Sequence, residues 1–314
     1  MTIHQAYQQL LFQLFEIYDD SEAHTIADWV MEHITEWKRI DRIVNKEFSL
    51  SAQKQERLEK YTKELRAHRP VQYVLGEAWF AGMKFYVNEK VLIPRPETEE
   101  LVEWIVKEVA SSEWRVASKN KVGSEQLAAS TITTNDPQLI THNSQLSIID
   151  IGTGSGCIPI ALKKKLPQAE ITAIDVCSEA LSIAVENAVS NETEIDFKLL
   201  DFLDRNKWNE PGQFDIIVSN PPYVKSSEAN EMRRGVLDFE PSLALFVPDD
   251  DALIFYKQIA DFALTHLKPC GMIFMEINEA LGNETVALFK EKKITNVELK
   301  KDIQGKNRMV KAVL

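Results

Sequence analysis

The chain has 314 residues, with 36 Lys and Arg against 48 Asp and Glu for a net charge of −12, and it is 44% hydrophobic and 27% charged. That length suits one large domain or a main domain with a smaller companion. The ordinary apolar fraction, without an uncharged apolar run of about 18 residues, excludes disorder and a membrane-spanning helix. A chain this acidic does not hold long nucleic acid by phosphate neutralisation alone, which needs a clustered basic surface.

The first residues alternate polar and apolar positions, unlike a basic segment followed by an apolar one, so no export signal is expected. From residue 5 to about residue 68 the apolar positions recur at helical spacing: Ala6, Leu10, Phe12 and Leu14, then Ile26, Trp29 and Val30, then Leu58, Tyr61 and Leu65. Asp20, Ser21, Ser49 and Ser51 offer N-caps, and Pro70 reads as the stop after the last helix. Residues 1–75 are thus expected to form a helical unit. Aromatic and β-branched residues around Gly82 predict a β-hairpin linking it, over 76–93, to a main domain at 94–314. Pro94 and Pro96 stiffen a turn that opens an acidic-started helix reaching about Val109. Residues 111–144 are rich in Ser, Thr, Asn, Gln and Lys without a period, and read as an inserted mobile loop.

Beyond the insert, short apolar runs alternate with helical patterns: 146–151, 158–166, 171–175, 180–189, 195–200, 214–219, 253–267, 271–277, 280–289 and 297–299, with 310–314 last. Continuous apolar strands between amphipathic helices specify a parallel sheet covered on both faces. The expected fold is therefore α/β. Three cysteines, Cys157, Cys177 and Cys270, are odd in number and widely spaced, which fits neither a disulfide framework nor a metal site. A reducing, cytoplasmic setting without a bound metal is expected.

The first strand of this series ends on Asp150 and leads through Gly152-Thr153-Gly154-Ser155-Gly156 into a helix. Ligands of doubly wound sheets bind beyond the carboxyl ends of the strands, and glycines let backbone approach them closely. The spacing is GxGxG, whereas a dinucleotide fingerprint is GxGxxG with a helix N-terminus aimed at the pyrophosphate. Asp175 closes the next strand, 19 residues after Gly156, where a carboxylate can accept from both hydroxyls of a ribose. A ribose without a pyrophosphate points to S-adenosylmethionine, with Asp150 near its sulfonium or amino end. Gly-rich turns and terminal Asp residues also make plain βα connections, so this pair alone does not decide.

A second element follows the apolar run 214–219, namely Asn220-Pro221-Pro222-Tyr223. The prolines stop the strand and stiffen the backbone, and their carbonyls stay acceptors. An Asn oxygen beside a rigid carbonyl is a two-acceptor clamp for a planar NH₂ group, and Tyr223 supplies a ring face for it. Such a nitrogen is a weak nucleophile because its lone pair is delocalised. Fixing both hydrogens aims that lone pair at a methyl group and favours the charge building on nitrogen, without a strong base.

With these motifs the chain resembles the class I S-adenosylmethionine-dependent methyltransferases and, within them, the peptide chain release factor glutamine methyltransferases. The resemblance runs from Arg69 onward and rests on Arg69-Pro70-Val71-Gln72-Tyr73-Val74-Leu75-Gly76, Ile93-Pro94-Arg95-Pro96-Glu97-Thr98-Glu99, the glycine loop and Asn220-Pro221-Pro222-Tyr223. Phe239-Glu240-Pro241-Ser242 and Gly305-Lys306-Asn307-Arg308 add to it. It implies a Rossmann-like, seven-stranded, mostly parallel sheet with an antiparallel final hairpin. It also implies that Gly152, Thr153, Gly154, Ser155, Gly156 and Asp175 hold S-adenosylmethionine, with Phe202 by the adenine and Asn220 on the cofactor side as well. Asn220, Pro221, Pro222 and Tyr223 then receive the glutamine of the Gly-Gly-Gln motif in bacterial class I release factors. The position of Phe202 is often Trp in the family. Release factors are the expected partners, with no direct nucleic acid, no membrane and a monomeric chain.

Two other readings share parts of this pattern. An amino methyltransferase acting on a nucleic-acid base needs an aromatic and basic surface that a −12 chain does not advertise, and a ribosomal protein glutamine is another amide substrate. A non-catalytic S-adenosylmethionine-binding module has no use for an intact Asn-Pro-Pro-Tyr. Arg95 and Glu97 read as ordinary turn and helix-start chemistry before they read as a substrate mouth, and Glu276 either lines the pocket or pairs with a buried cation.

Overall fold

Side chains that accept backbone N–H groups set the helix starts of the N-terminal unit. In the computed structural model, which describes residues 1–111, 146–208, 212–294 and 296–314, Thr2 caps α1 (Ile3–Leu14) in a capping box with Gln5. Asp19 caps α2 (Asp20–Thr35) and Ser51 caps α4 (Ala52–Arg66), with the short α3 (Arg39–Val44) between them. Pro70 does not end the unit. It stands at the N-cap of one more short helix, α5 (Val71–Leu75), which stops at Gly76 in the left-handed region. Leu10, Leu14, Val30, Met31 and Leu65 form a separate core. Phe12 and Trp29, read into the same apolar stripe, instead face outward at 72% and 47% exposure, because each lies off the arc that meets the neighbouring helices.

The hairpin follows as β1 (Ala78–Phe80) and β2 (Met83–Phe85), joined by Ala81 and Gly82, both at positive φ as a tight two-residue turn requires. Asn187 ties it to the main domain. Its Oδ1 accepts from the Tyr86 N–H at 2.7 Å, and its Nδ2 donates to the carbonyls of Tyr86 at 3.0 Å and Ser155 at 2.9 Å. Asn187 therefore links the end of the hairpin to the glycine loop.

After α6 (Pro96–Ala110), with Pro96 at its first position, the chain alternates: β3 (Ser147–Ile151), α7 (Cys157–Lys165), β4 (Glu170–Asp175), α8 (Ser178–Ser190), β5 (Asp196–Leu199) and β6 (Phe214–Ser219). An irregular segment follows with β7 (Val224–Lys225), α9 (Arg234–Phe239), α10 (Ser242–Leu245) and β8 (Phe246–Val247), in which β7 and β8 pair in parallel. Then come α11 (Ile254–His266), β9 (Leu267–Glu276), α12 (Gly282–Glu291), β10 (Asn296–Lys301) and β11 (Asn307–Val313). The insert read at 111–144 falls, from residue 112 on, outside the described residues.

Seven strands form one sheet in the order β10-β11-β9-β6-β3-β4-β5. Neighbours from β9 to β5 are parallel, while β11 runs antiparallel to both β9 and β10. Consecutive residues on a strand point to opposite faces, and here both faces are covered. Ile148 and Ile216 pack with Leu101 and Ile160 on one side; Ile149 and Ile217 pack with Ile259 and Phe262 on the other. This is the Rossmann-like arrangement, with the strand order reversing between β3 and β6.

Asn187→Ala is expected to lower stability by about 1–3 kcal/mol, because it strands buried backbone groups of the hairpin and the glycine loop. Urea denaturation checks this; an unchanged midpoint would show that the brace is dispensable.

Candidate active site

The crevice at the strand-order reversal is built by register. Ile151 of β3 pairs with Ser219 of β6, and Ser219 pairs on its other side with Met275 of β9. One residue further on, Gly152, Asn220 and Glu276 emerge side by side at the carboxyl edge. Ser219 Oγ donates to the Ile151 carbonyl at 2.7 Å, which locks the first two strand ends together.

The glycine loop curls over the end of β4. The N–H groups of Gly152 and Thr153 both donate to the Ile174 carbonyl, at 2.9 and 3.0 Å, and that of Gly156 donates to the Thr153 carbonyl at 2.9 Å. The Gly154 N–H donates to Asp175 Oδ2 at 2.8 Å, while Asp175 Oδ1 takes the Cys177 N–H at 2.9 Å. Four loop amides are thus engaged within the protein, which leaves a pyrophosphate short of the donors it needs. Each Asp175 oxygen keeps a lone pair for a further hydroxyl donor. Gly152 and Gly154 sit at φ +76° and +54°, and a Cβ on either would meet nothing within 4 Å, so bare backbone borders open space there. Gly156 serves packing instead, since a Cβ would come within 3.1 Å of Ala184.

Beneath the loop, Asp150 is fully buried, and among the described residues neither of its carboxylate oxygens nor the Thr153 hydroxyl has a hydrogen-bond partner. Burial pushes the Asp150 carboxyl up to about 7; the nearby Thr153 hydroxyl eases it downward without reaching bonding geometry, and the Asp175 charge pushes it further up. An orphaned carboxylate and hydroxyl beside bare backbone form a recess that fits a cationic, ribose-bearing ligand. Phe202 lies beyond β5, buried, stacked on Trp208 at 5.6 Å and edge-on to Phe262. It is first a member of that aromatic cluster, and any hold on an adenine would be additional.

Across the crevice, Asn220 Nδ2 donates to Thr98 Oγ1 at 3.2 Å, and Thr98 Oγ1 donates to Glu276 Oε2 at 2.7 Å. The other oxygen of Glu276 accepts from the Tyr223 hydroxyl at 3.0 Å. Glu276 is 1% exposed, and burial raises its pKa against the two hydroxyl donors and the Arg308 charge, which lower it. Pro221 is buried and Pro222 half-buried, and Asn278 Nδ2 holds the Tyr223 carbonyl at 3.0 Å. The turn is therefore clamped at both ends. Tyr223, read as a ring face for a planar group, has its hydroxyl turned inward to Glu276.

Arg95 donates to the buried Glu240 at 2.5 Å, joining the Pro-stiffened turn to the segment at 239–245. Burial raises the Glu240 pKa and the Arg95 charge opposes it. Sequence reasoning brought the glycine loop, Asp175 and the Asn-Pro-Pro-Tyr turn to one edge. It did not give Thr98, Asn187 or Asn278 a part. It saw Glu276 without seeing its hydroxyl partners; a lone acid closing the apolar run Ile273-Phe274-Met275 was the available signal.

The family profile described as the PrmC N-terminal domain matches residues 5–76, and the methyltransferase small domain profile matches residues 123–235. The release factor glutamine methyltransferase of Flavobacterium psychrophilum is 41% identical over 303 residues, covering 96% of each chain. Its counterpart in Bacteroides thetaiotaomicron is 37% identical over 299 residues, 95% of each chain. That of Koribacter versatilis is 33% identical over 311 residues, 99% of this chain and 98% of that one.

Asp150 binds more protons folded than unfolded between about pH 4 and about pH 7, so its stabilisation is complete below that window and is lost as pH rises through it. Urea titrations without added ligand should show wild-type stability falling more steeply from pH 4.5 to 7.5 than that of Asp150→Asn. Parallel curves would mean that Asp150 titrates normally.

Proposed function

The chain belongs to the release factor glutamine methyltransferases, and on that premise we propose that Asn220, Pro221, Pro222 and Tyr223 receive the substrate amide while Gly152, Thr153, Gly154, Ser155, Gly156 and Asp175 hold the cofactor. The reaction is methyl transfer from S-adenosylmethionine to the side-chain nitrogen of a release factor glutamine. The observation that supports this site assignment is the adjacency of Gly152 and Asn220, fixed by the pairing of Ile151 with Ser219.

S-adenosylmethionine, when bound, supplies an electrophilic methyl on a sulfonium. The residues that fit it are Asp175 toward the ribose hydroxyls, Asp150 and Thr153 toward the cationic end, and the bare backbone at Gly152 and Gly154. Phe202, from the cluster beyond β5, is assigned to the adenine side and Asn220 borders both ligands. Asn220 Oδ1 accepts no hydrogen bond from the described residues, and with the Pro221 carbonyl it offers the two acceptors that an NH₂ group requires. Holding both hydrogens in place fixes the amide plane and so aims the nitrogen lone pair, which stands perpendicular to it, at the methyl. The same acceptors stabilise the positive charge that builds on nitrogen, whose acidic proton then passes to solvent water without a dedicated base.

In this reading the helical unit, residues 1–75, grips the release factor outside the reactive glutamine, and the hairpin at 76–93 joins it to the catalytic domain at 94–314. Exposed Phe12, Trp29, Ile43 and Val44 give that unit apolar surface to do so. The chain acts as a monomer in the cytoplasm without contacting nucleic acid; three free thiols support a reducing setting. Among the described residues no helix is long and apolar enough to cross a membrane.

Purified class I release factors incubated with labelled S-adenosylmethionine should gain one methyl on the Gly-Gly-Gln peptide, mapped by mass spectrometry. Asn220→Ala should cut turnover by about 100-fold or more while the cofactor Kd moves by less than about threefold. Equal loss of both would count against the clamp.

A further inference from the structure

Asn220 has two faces of opposite chemistry, and a flip of its amide exchanges them. Presenting Oδ1 it accepts from a carboxamide NH₂; presenting Nδ2 it donates to a carboxylate. Thr98 decides between them. Its hydroxyl has a single hydrogen, directed to Glu276 Oε2 at 2.7 Å, so toward Asn220 it has only lone pairs to offer and takes the Nδ2 hydrogen at 3.2 Å. A flipped amide would set Oδ1 against those lone pairs. Glu276 is fixed in turn, buried between two hydroxyl donors at the end of β9. Thr98 is 2% exposed in the first turn of α6. Burial shields its hydroxyl from bulk solvent.

We infer that Thr98 and Glu276 are positioning residues that lock the Asn220 amide with Oδ1 toward the substrate, and so set the selectivity of the site for a carboxamide over a carboxylate. The inference rests on the substrate reading above and adds residues that never touch the glutamine. Thr98→Val keeps the shape and removes the lock. Glu276→Gln offers Thr98 an amide that can donate, which frees the threonine hydrogen for Asn220 Oδ1.

Full-length wild type, Thr98→Val, Thr98→Ser and Glu276→Gln are compared for KM and kcat on a Gly-Gly-Gln release factor and for inhibition by the same factor carrying Gly-Gly-Glu. The ratio of the Glu inhibition constant to the Gln KM should fall about tenfold in Thr98→Val and Glu276→Gln and return to near the wild-type value in Thr98→Ser. A merely structural role lowers affinity for both factors alike and leaves the ratio unmoved. Side-chain amide NMR of Asn220 reads the lock without turnover. Slow rotation and exchange of its NH₂ in wild type and Thr98→Ser, and fast in Thr98→Val, is the expected pattern. An unchanged ratio or NMR signature in a folded Thr98→Val, or no recovery in Thr98→Ser, overturns the inference. If Thr98→Val does not fold, the same outcomes in Glu276→Gln decide. A wild type that methylates no release factor sinks the substrate reading, and the NMR comparison still tests the lock.

Discussion

The common register of β3, β6 and β9 is the constraint on which the site depends. Their ends place Gly152, Asn220 and Glu276 in one row, and a slip of one residue would send the Asn220 or Glu276 side chain to the opposite face. That register is set at the far end of the sheet. The β6–β9 pairing shifts between Phe214 and Ile216, where Cys270 adopts a positive φ of 65° and Gly271 follows. A Cβ on Gly271 would lie 2.8 Å from the Lys268 carbonyl oxygen and 3.1 Å from that of Asp215. Only a glycine allows the strands to close there. An irregularity remote from the crevice thus sets which β9 residue stands beside Asn220.

Three buried carboxyl groups near that row are handled in three ways. Glu240 has the Arg95 guanidinium, Glu276 has two hydroxyl donors, and Asp150 has no partner among the described residues. Burial raises the pKa of each. Paired acids in such places hold segments in register with one another, here the turn at residue 95 with residue 240 and α6 with β9. An acid left without a partner destabilises the folded chain until something fills the gap. On the proposed cofactor assignment, a cationic ligand beneath the glycine loop would relieve that cost and couple stability to cofactor capture at Asp150.

Most of the architecture was legible because it is periodic. The apolar runs that became β3 and β6 are continuous since both faces of the sheet are covered there, and the glycine loop and the two prolines mark strand ends by backbone chemistry alone. The region from β7 to β8 was not anticipated, because elements of two to six residues are shorter than any period that would reveal them. Phe12 and Trp29 show the reverse failure: helical spacing identifies a helix but not which arc of it meets a neighbour. Thr98 and Asn278 escaped notice for another reason. Each is an ordinary residue locally, and acquires a part only through partners 122 and 55 positions away.

On the proposed assignment of Asn220 to the substrate amide, the placement of Glu276 also accounts for a site that works with acceptors rather than a base. An ionised carboxylate in contact with the incoming amide would take up one of its hydrogens, yet it would stand within reach of the methyl that the nitrogen is meant to receive. A carboxylate oxygen is the better nucleophile of the two, because the amide lone pair is delocalised. The Thr98 and Tyr223 hydroxyls cover both oxygens of Glu276 and hold it behind the clamp, while Asn220 presents a neutral oxygen that binds hydrogen without competing for carbon. Along this chain charge is kept two hydrogen bonds behind Asn220, Glu276 to Thr98 and Thr98 to Asn220. From there it still orients the dipoles in front of it and favours the cation that develops on nitrogen.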